Sequence, residues 1–233
     1  AQFSRNLAES LLKLKSSEPF TVGLYGKWGS GKTSVLNMIQ QEIEHLSTEM
    51  EDSEVPLIMR FEPWNYSDCN QLLVQFFAQL SSIIDLKSKD KNLEKVGKLL
   101  EQYSSSLSLL EYIPYFGKFL KIIPALAEDV GHNLKESSEM RISDISLQKE
   151  AVVKALEKQT RRIIVFVDDI DRLSNEQIRL IFKLTQSVAS FPNMIYILAF
   201  DQEVVANALS PVQNCDGSKY LEKIIQVPFY LPE

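Results

Sequence analysis

The sequence predicts an α/β fold, with a mostly parallel five-stranded sheet, helices on both of its faces and a helical insertion. Three observations predict it. Apolar runs of strand length alternate with amphipathic stretches of helix length. Each strand-like run is a nearly unbroken series of Ile, Val, Leu and Phe, as expected of a sheet covered on both sides. Between the first run and the next helix-like stretch lies "GKWGSGKTS", residues 26–34, with the spacing of a phosphate-cradling turn.

The elements follow in order. Phe3, Leu7, Leu11 and Leu14 recur at helical spacing, which predicts an amphipathic helix over residues 2–15. Pro19 precedes a buried strand, Phe20–Tyr25. After the glycine loop, a helix starting near Lys32 carries Val35, Leu36, Ile39 and Ile43 on one face. Pro56 to Phe61 form the next strand, halted by Pro63, and a helix bearing Leu72, Leu73, Phe76, Phe77 and Leu80 follows. Residues 86–145 change character: charge-rich "KSKDKNLEKVGK" gives way to apolar "LSLLEYIPYFGKFLKIIPALAEDV". This stretch is expected to be a helical insertion between two halves of one core, 1–85 and 146–233. The second half begins with the helix "LQKEAVVKALEKQ" and the strand in "RRIIVFVDDIDR". A helix over about 175–187, strand "MIYILAFD", a helix over 202–209, the loop "SPVQNCDG" and a last strand "KIIQVPF" complete the prediction.

The 233 residues suffice for one large α/β domain with an insertion. A net charge of -6 speaks against nucleic acid backbones and anionic membranes as partners of the whole chain. Cys69 and Cys215 are too few for a disulfide framework and lack metal-ligand spacing, which fits a cytosolic protein. His45 and His132 stand alone and read as exposed residues. Arg5, Glu9, Lys13 and Lys15 interrupt the first apolar pattern, so no signal peptide is expected. The chain begins without Met and stops after a strand-like run, and it reads as a segment of a longer protein.

The loop carries the clearest chemistry. Gly26, Gly29 and Gly31 allow a tight turn whose N–H groups converge on phosphate oxygens, and the following helix points its positive end there. Lys27, Trp28, Ser30 and Ser34 complete the expected phosphate-binding segment. Lys32 reaches the β- and γ-phosphates, and the Thr33 hydroxyl is suited to Mg²⁺. In "IIVFVDDIDR", Asp168 falls at the C-terminal end of a buried strand, where open α/β sheets bind ligands. It is expected to hold the metal of a bound nucleotide, the alternative being a helix cap. Asp169 is expected to activate a water for attack on the γ-phosphate, the alternative being a structural role. Asp171 and Arg172 form a local ion pair, orient the acids or lie at a subunit contact. Asp201 either senses the γ-phosphate or caps the helix after it. Lys223 is either a solvated lysine or a finger toward a neighbouring nucleotide. Trp64 and Tyr66 either pack the end of the second strand or wall the pocket. No Asn-Lys-x-Asp stretch reads guanine, which favours ATP.

Together "GLYGKWGSGKTSVLNMI", "RFEPWNY", "IIVFVDDIDRL", "FPNMIYILAFDQEVV" and "YLEKIIQVPFYLP" resemble the KAP family of P-loop NTPases, part of the broad group that includes AAA+ and STAND proteins. The resemblance covers nearly the whole chain except about 86–145. It implies a P-loop NTPase three-layer sandwich, with the phosphate-loop strand beside an added strand on the Asp168 side. It implies ATP and Mg²⁺ as ligands, with Lys32 and Thr33 at the phosphates, Asp168 at the metal and Asp169 as the water-activating acid. The Gly-x-Trp-Gly loop looks like a family trait. Members occur in bacteria and animals, often at membranes, and some bacterial ones are linked to phage exclusion. The function so implied is an ATP-hydrolysing domain of a larger signalling or antiphage-defence protein. Its nucleotide cycle would drive assembly or effector activation through self-association or a partner protein. The alternative is a nucleotide-gated switch that holds ATP or ADP without turnover. Many members carry transmembrane helices in the insertion. Here Glu111, Pro114, Lys118, Lys121 and Pro124 break the apolar stretch 107–127, so contact with a membrane surface, core packing or partner contact replaces a span. The expected location is the cytoplasm, with membrane association in the full-length protein.

Overall fold

Five parallel strands form one sheet in the order β2-β3-β4-β1-β5. The computed structural model describes residues 2–14, 18–86, 91–108, 136–159, 161–210 and 216–232. The elements are α1 (Gln2–Lys13), β1 (Phe20–Tyr25), α2 (Lys32–Ser47), β2 (Leu57–Phe61), α3 (Cys69–Leu86), α4 (Lys91–Ser108), α5 (Glu136–Leu156), β3 (Ile163–Val167), α6 (Asn175–Lys183), β4 (Met194–Phe200), α7 (Gln202–Leu209), α8 (Gly217–Ile224) and β5 (Val227–Tyr230).

Burial explains the composition of the strands. Central strands β3 and β4 are buried at every residue, so both faces need apolar side chains. Edge strands β2 and β5 alternate between more and less buried positions. On one face, Val22, Leu24, Ile164, Phe166, Ile195, Ile197 and Ala199 pack with Leu7 and Leu11 of α1 and Leu36, Ile39 and Ile43 of α2. On the other, Phe182 of α6 meets Phe200 edge-on at 5.4 Å, and Tyr196 donates to the Ala189 carbonyl at 2.7 Å. The result is helix, sheet and helix in three layers.

The chain divides into two compact units: Ala1–Cys69 with Gln159–Glu233, and Asn70–Lys158. The second unit therefore takes in most of α3 and all of α5, beyond the 86–145 read as insertion from composition. Inside it, Phe77 meets Tyr103 edge-on at 5.3 Å and the Ser81 hydroxyl donates to the Gly97 carbonyl. Most of 107–127, together with His132 and Cys215, lies outside the described residues. Among the described residues no helix is long and apolar enough to cross a membrane.

Two elements differ from the sequence prediction. The helix after Ser174 is α-helical to Lys183 and continues as π turns over Leu184–Val188, where the Ala189 N–H reaches back five residues to the Leu184 carbonyl. The last strand was expected to begin at Lys223. Instead Gly217–Ile224 is a helix and pairing to β1 starts at Val22 opposite Val227. Asp216 caps this helix by accepting from the Ser218 N–H, and Tyr220, Leu221 and Ile224 bury one helical face.

Candidate functional site

The site lies where β1 and β3 end, with β4 hydrogen-bonded between them. The turn after β1 is the glycine loop. Gly29 and Gly31 have φ of 82° and 85°, and apart from their chain neighbours no atom stands within 4 Å of where a Cβ would be placed on either. Glycine is the residue that adopts this left-handed backbone without penalty, and the empty space beside both is room for a ligand. A Cβ on Gly26 would come within 2.2 Å of Ser30 Oγ, so this end of the loop is closed tightly. Ser30 Oγ is itself buried without a hydrogen-bond partner. A buried hydroxyl with nothing to bond is costly, and a phosphate oxygen supplies the missing partner. The residues present therefore fit a phosphate chain.

Lys32, the first residue of α2, is 7% exposed. Its ammonium donates to the Gly26 carbonyl at 2.9 Å, the Lys27 carbonyl at 3.2 Å and Asp171 Oδ2 at 3.4 Å. The loop is thus folded around its own lysine. Thr33 and Ser34 lie exposed on the first turn of α2, and Lys27 and Trp28 are exposed on the loop.

The acids follow β3. Asp168 is 3% exposed. Its Oδ1 accepts from the Asp169 N–H at 2.9 Å, and its Oδ2 lies 3.4 Å from Arg60 Nη2. Arg60 also donates to Asn37 Oδ1 and stands 3.7 Å from Glu62. Asp169 adopts φ 57°, ψ 33° and its side chain caps no helix; its Oδ1 forms an ion pair with Arg172 Nε at 2.9 Å. Burial pushes the Asp169 carboxyl above the usual range, the neighbouring Asp168 and Asp171 push the same way, and Arg172 and Lys32 oppose them. A carboxylate raised in this way is a better proton acceptor than an ordinary surface acid. The Arg172 guanidinium lies 4.8 Å from the Trp28 ring centre and 5.7 Å from that of Trp64.

The chain belongs to the KAP family of P-loop domains. The family's model matches residues 1–233, the whole chain. The chain is 26% identical over 245 aligned residues to the phage T7 exclusion protein of Escherichia coli K12, an alignment covering 98% of the chain and 32% of that protein. The chain thus spans about a third of that relative's length. Among solved structures, the Aeropyrum pernix ORC2 protein in ADPNP–ADP complexes aligns with 99% of the chain and 47% of its own, at 12% identity and a TM-score of 0.47. The Aeropyrum pernix ORC1 protein in complex with DNA aligns with 98% of the chain and 44% of its own, at 13% identity and a TM-score of 0.46.

Within this KAP domain the remaining candidate residues take the following places. Asp171 pairs with Lys32, and Arg172 pairs with Asp169. Asp201 caps α7, its Oδ1 accepting from the N–H groups of Glu203 at 3.0 Å and Val204 at 3.5 Å. Tyr66 stacks on Phe61 at 5.7 Å, and its carbonyl accepts from Gln177. Trp64 is 47% exposed and faces Arg172. Lys223 is exposed in the last turn of α8. Arg60 was missed. The signal for it was a lone cation in the apolar strand "LIMRF", where a charge inside a sheet requires a partner.

Proposed function

We propose that this KAP domain binds ATP with Mg²⁺ and hydrolyses it as part of a longer signalling or defence protein. The single observation that carries the proposal is the convergence of the loop lysine with the acids after β3. Lys32 stands 3.4 Å from Asp171, two residues beyond Asp169, although 139 positions separate them in sequence.

In this reading the glycine loop and Lys32 hold the phosphates, and the orphaned Ser30 hydroxyl gains a phosphate oxygen as its partner. Thr33 and Asp168 would hold Mg²⁺, which neutralises charge on the phosphate oxygens. Among the described residues no group of three or more His, Cys, Asp or Glu forms a metal cage. That suits Mg²⁺, which takes few protein ligands and arrives with the triphosphate. Asp169 orients a water and takes its proton. Thr33 and Ser34 complete the loop's contacts from the helix end. The relative's role in phage exclusion supports a defence function for the longer protein. ATP and ADP are the small-molecule partners, and self-association or a protein partner reads the nucleotide state in the cytoplasm.

A second reading, a switch that binds nucleotide without turnover, is favoured by one observation: an Asp169 oxygen is already engaged by Arg172 at 2.9 Å. The two separate in one experiment, phosphate release from Mg·ATP by the protein and by Asp169→Asn, with ATP binding measured beside it. Loss of an aligned general base lowers turnover by about 100- to 10,000-fold. Turnover equal in both proteins overturns the role of Asp169. Bound ATP without turnover in either leaves the switch.

A further inference from the structure

We propose that Arg172 is a positioning residue that ties the phosphate loop to Asp169. Its guanidinium lies over the rings of Trp28 of the loop and Trp64 of the turn after β2 while its Nε pairs with the Asp169 carboxylate. A loaded loop re-seats the acid by moving Trp28. The proposal rests on the reading that the loop takes the phosphates of a nucleoside triphosphate.

Three chain segments that are distant in sequence meet at this guanidinium. Trp28 sits in the turn after β1, Trp64 in the turn after β2 and Arg172 in the turn after β3. Trp28 is 74% exposed, so it packs into no core. Its ring instead lies over a planar cation, an arrangement a guanidinium favours because its faces stack while its edge stays free to donate. The Arg172 Nε stands 2.9 Å from Asp169 Oδ1 as an ion pair.

Asp169 needs such a tether. Its backbone is left-handed, a conformation Asp tolerates, and its side chain accepts no N–H at the start of the turn that follows. Asp168 by contrast is held by the Asp169 N–H and by Arg60. The first acid is thus anchored by β3 and β2, whereas the second is held by a cation whose walls include the phosphate loop itself. Phosphate entering the loop displaces the carbonyl contacts of Lys32 at Gly26 and Lys27, the residues directly before Trp28. The loop's change is therefore delivered to the indole and through it to Arg172. In the conformation described here Asp169 Oδ1 is occupied, so re-seating Arg172 frees it to meet a water.

Trp28 and Trp64 are the two tryptophans of the chain, so intrinsic emission reports on these contacts directly. The protein is titrated with Mg·ATP while occupancy is measured by equilibrium dialysis of labelled ATP. Wild-type emission is expected to change in step with occupancy. Arg172→Ala is expected to bind ATP within about threefold of wild type and to lose the occupancy-linked change, with turnover down about 10- to 100-fold and KM little altered. Arg172→Lys does not rescue, because an ammonium lacks the flat fork. Trp28→Phe, a surface substitution that leaves the fold alone, is expected to uncouple Trp64 emission from occupancy. Wild type that binds ATP with unchanged emission overturns the tether and leaves the nucleotide site standing. The same holds if Arg172→Ala or Trp28→Phe responds as wild type does. Absence of ATP binding by wild type overturns the site and the tether together.

Discussion

The Lys32 ammonium lies 3.4 Å from the Asp171 carboxylate, with the two side chains 8% and 7% exposed. The other oxygen of Asp171 is buried without a partner. The lysine that opens α2 and an acid of the turn after β3 therefore neutralise each other across the sheet. A phosphate entering the loop competes with Asp171 for that ammonium.

Removing one member of such a pair strands the other. Lys32→Met is expected to lower the unfolding free energy by about 3 kcal/mol, and adding Asp171→Asn to recover at least about 1 kcal/mol of it. Urea denaturation of the two single variants and the double variant measures the coupling. Strictly additive losses would mean that the pair contributes nothing to the fold.

Gly31, the residue before α2, has φ 85° with open space where a Cβ would stand. Gly31→Ala meets no atom, so its cost is backbone strain alone, about 1–2 kcal/mol. Gly31→Asn costs less, because Asn tolerates the left-handed region. Thermal denaturation of both variants orders them, and equal losses would refute strain as the cause.

Arg60 bridges Asp168, Asn37 and Glu62 from the second strand. Arg60→Ala leaves Asp168 with the Asp169 N–H as the partner described for its side chain. The expected loss is about 1–3 kcal/mol of stability, only part of which Arg60→Lys restores. A change below about 0.5 kcal/mol in urea denaturation would place Arg60 among ordinary surface charges.

Burial holds the Tyr196 phenol well above its usual titration range. The folded state keeps this proton where the unfolded chain, with a pKa near 10, loses it. The folded state then binds more protons, so stability is intact below pH about 10 and falls as pH rises through that value. Tyr196→Phe is expected to cost about 1 kcal/mol at neutral pH through the lost bond to the Ala189 carbonyl. Its stability then declines less steeply above pH 10. Tyr25 and Tyr103 are raised as well, so the slope is reduced and not abolished. Parallel curves for the two proteins would show that Tyr196 does not titrate on unfolding.

Much of the fold was legible along the chain because its causes are local. "IIVFV" and "MIYILAF" announce strands buried on both faces, and both are interior strands of the sheet. Helix α8 is absent from the sequence reading, which leaves 218–222 unassigned and starts the last strand at Lys223, two residues inside the helix. Ile224 and Ile225 precede "QVPF" without a break in apolar character, and periodicity alone does not divide a helix end from a strand start in so short a run. In the candidate site, the glycine spacing and the run of acids were visible, whereas the partner of each acid was not. Asp171 and Arg172 are neighbours in sequence, yet one faces Lys32 and the other Asp169.

A parallel α/β sheet, a glycine-rich phosphate loop ahead of α2 and acids at the end of β3 are readable from the chain alone. Spacing, strand burial and turn chemistry act over a few residues and can be read from them. That β4 stands between the loop strand and the acid strand, that Arg60 reaches Asp168, and that Trp28 and Trp64 approach Arg172 became visible with the three-dimensional fold. Those relations join turns more than a hundred residues apart. The strand order brings them together, and a one-dimensional pattern does not encode which turn will face which.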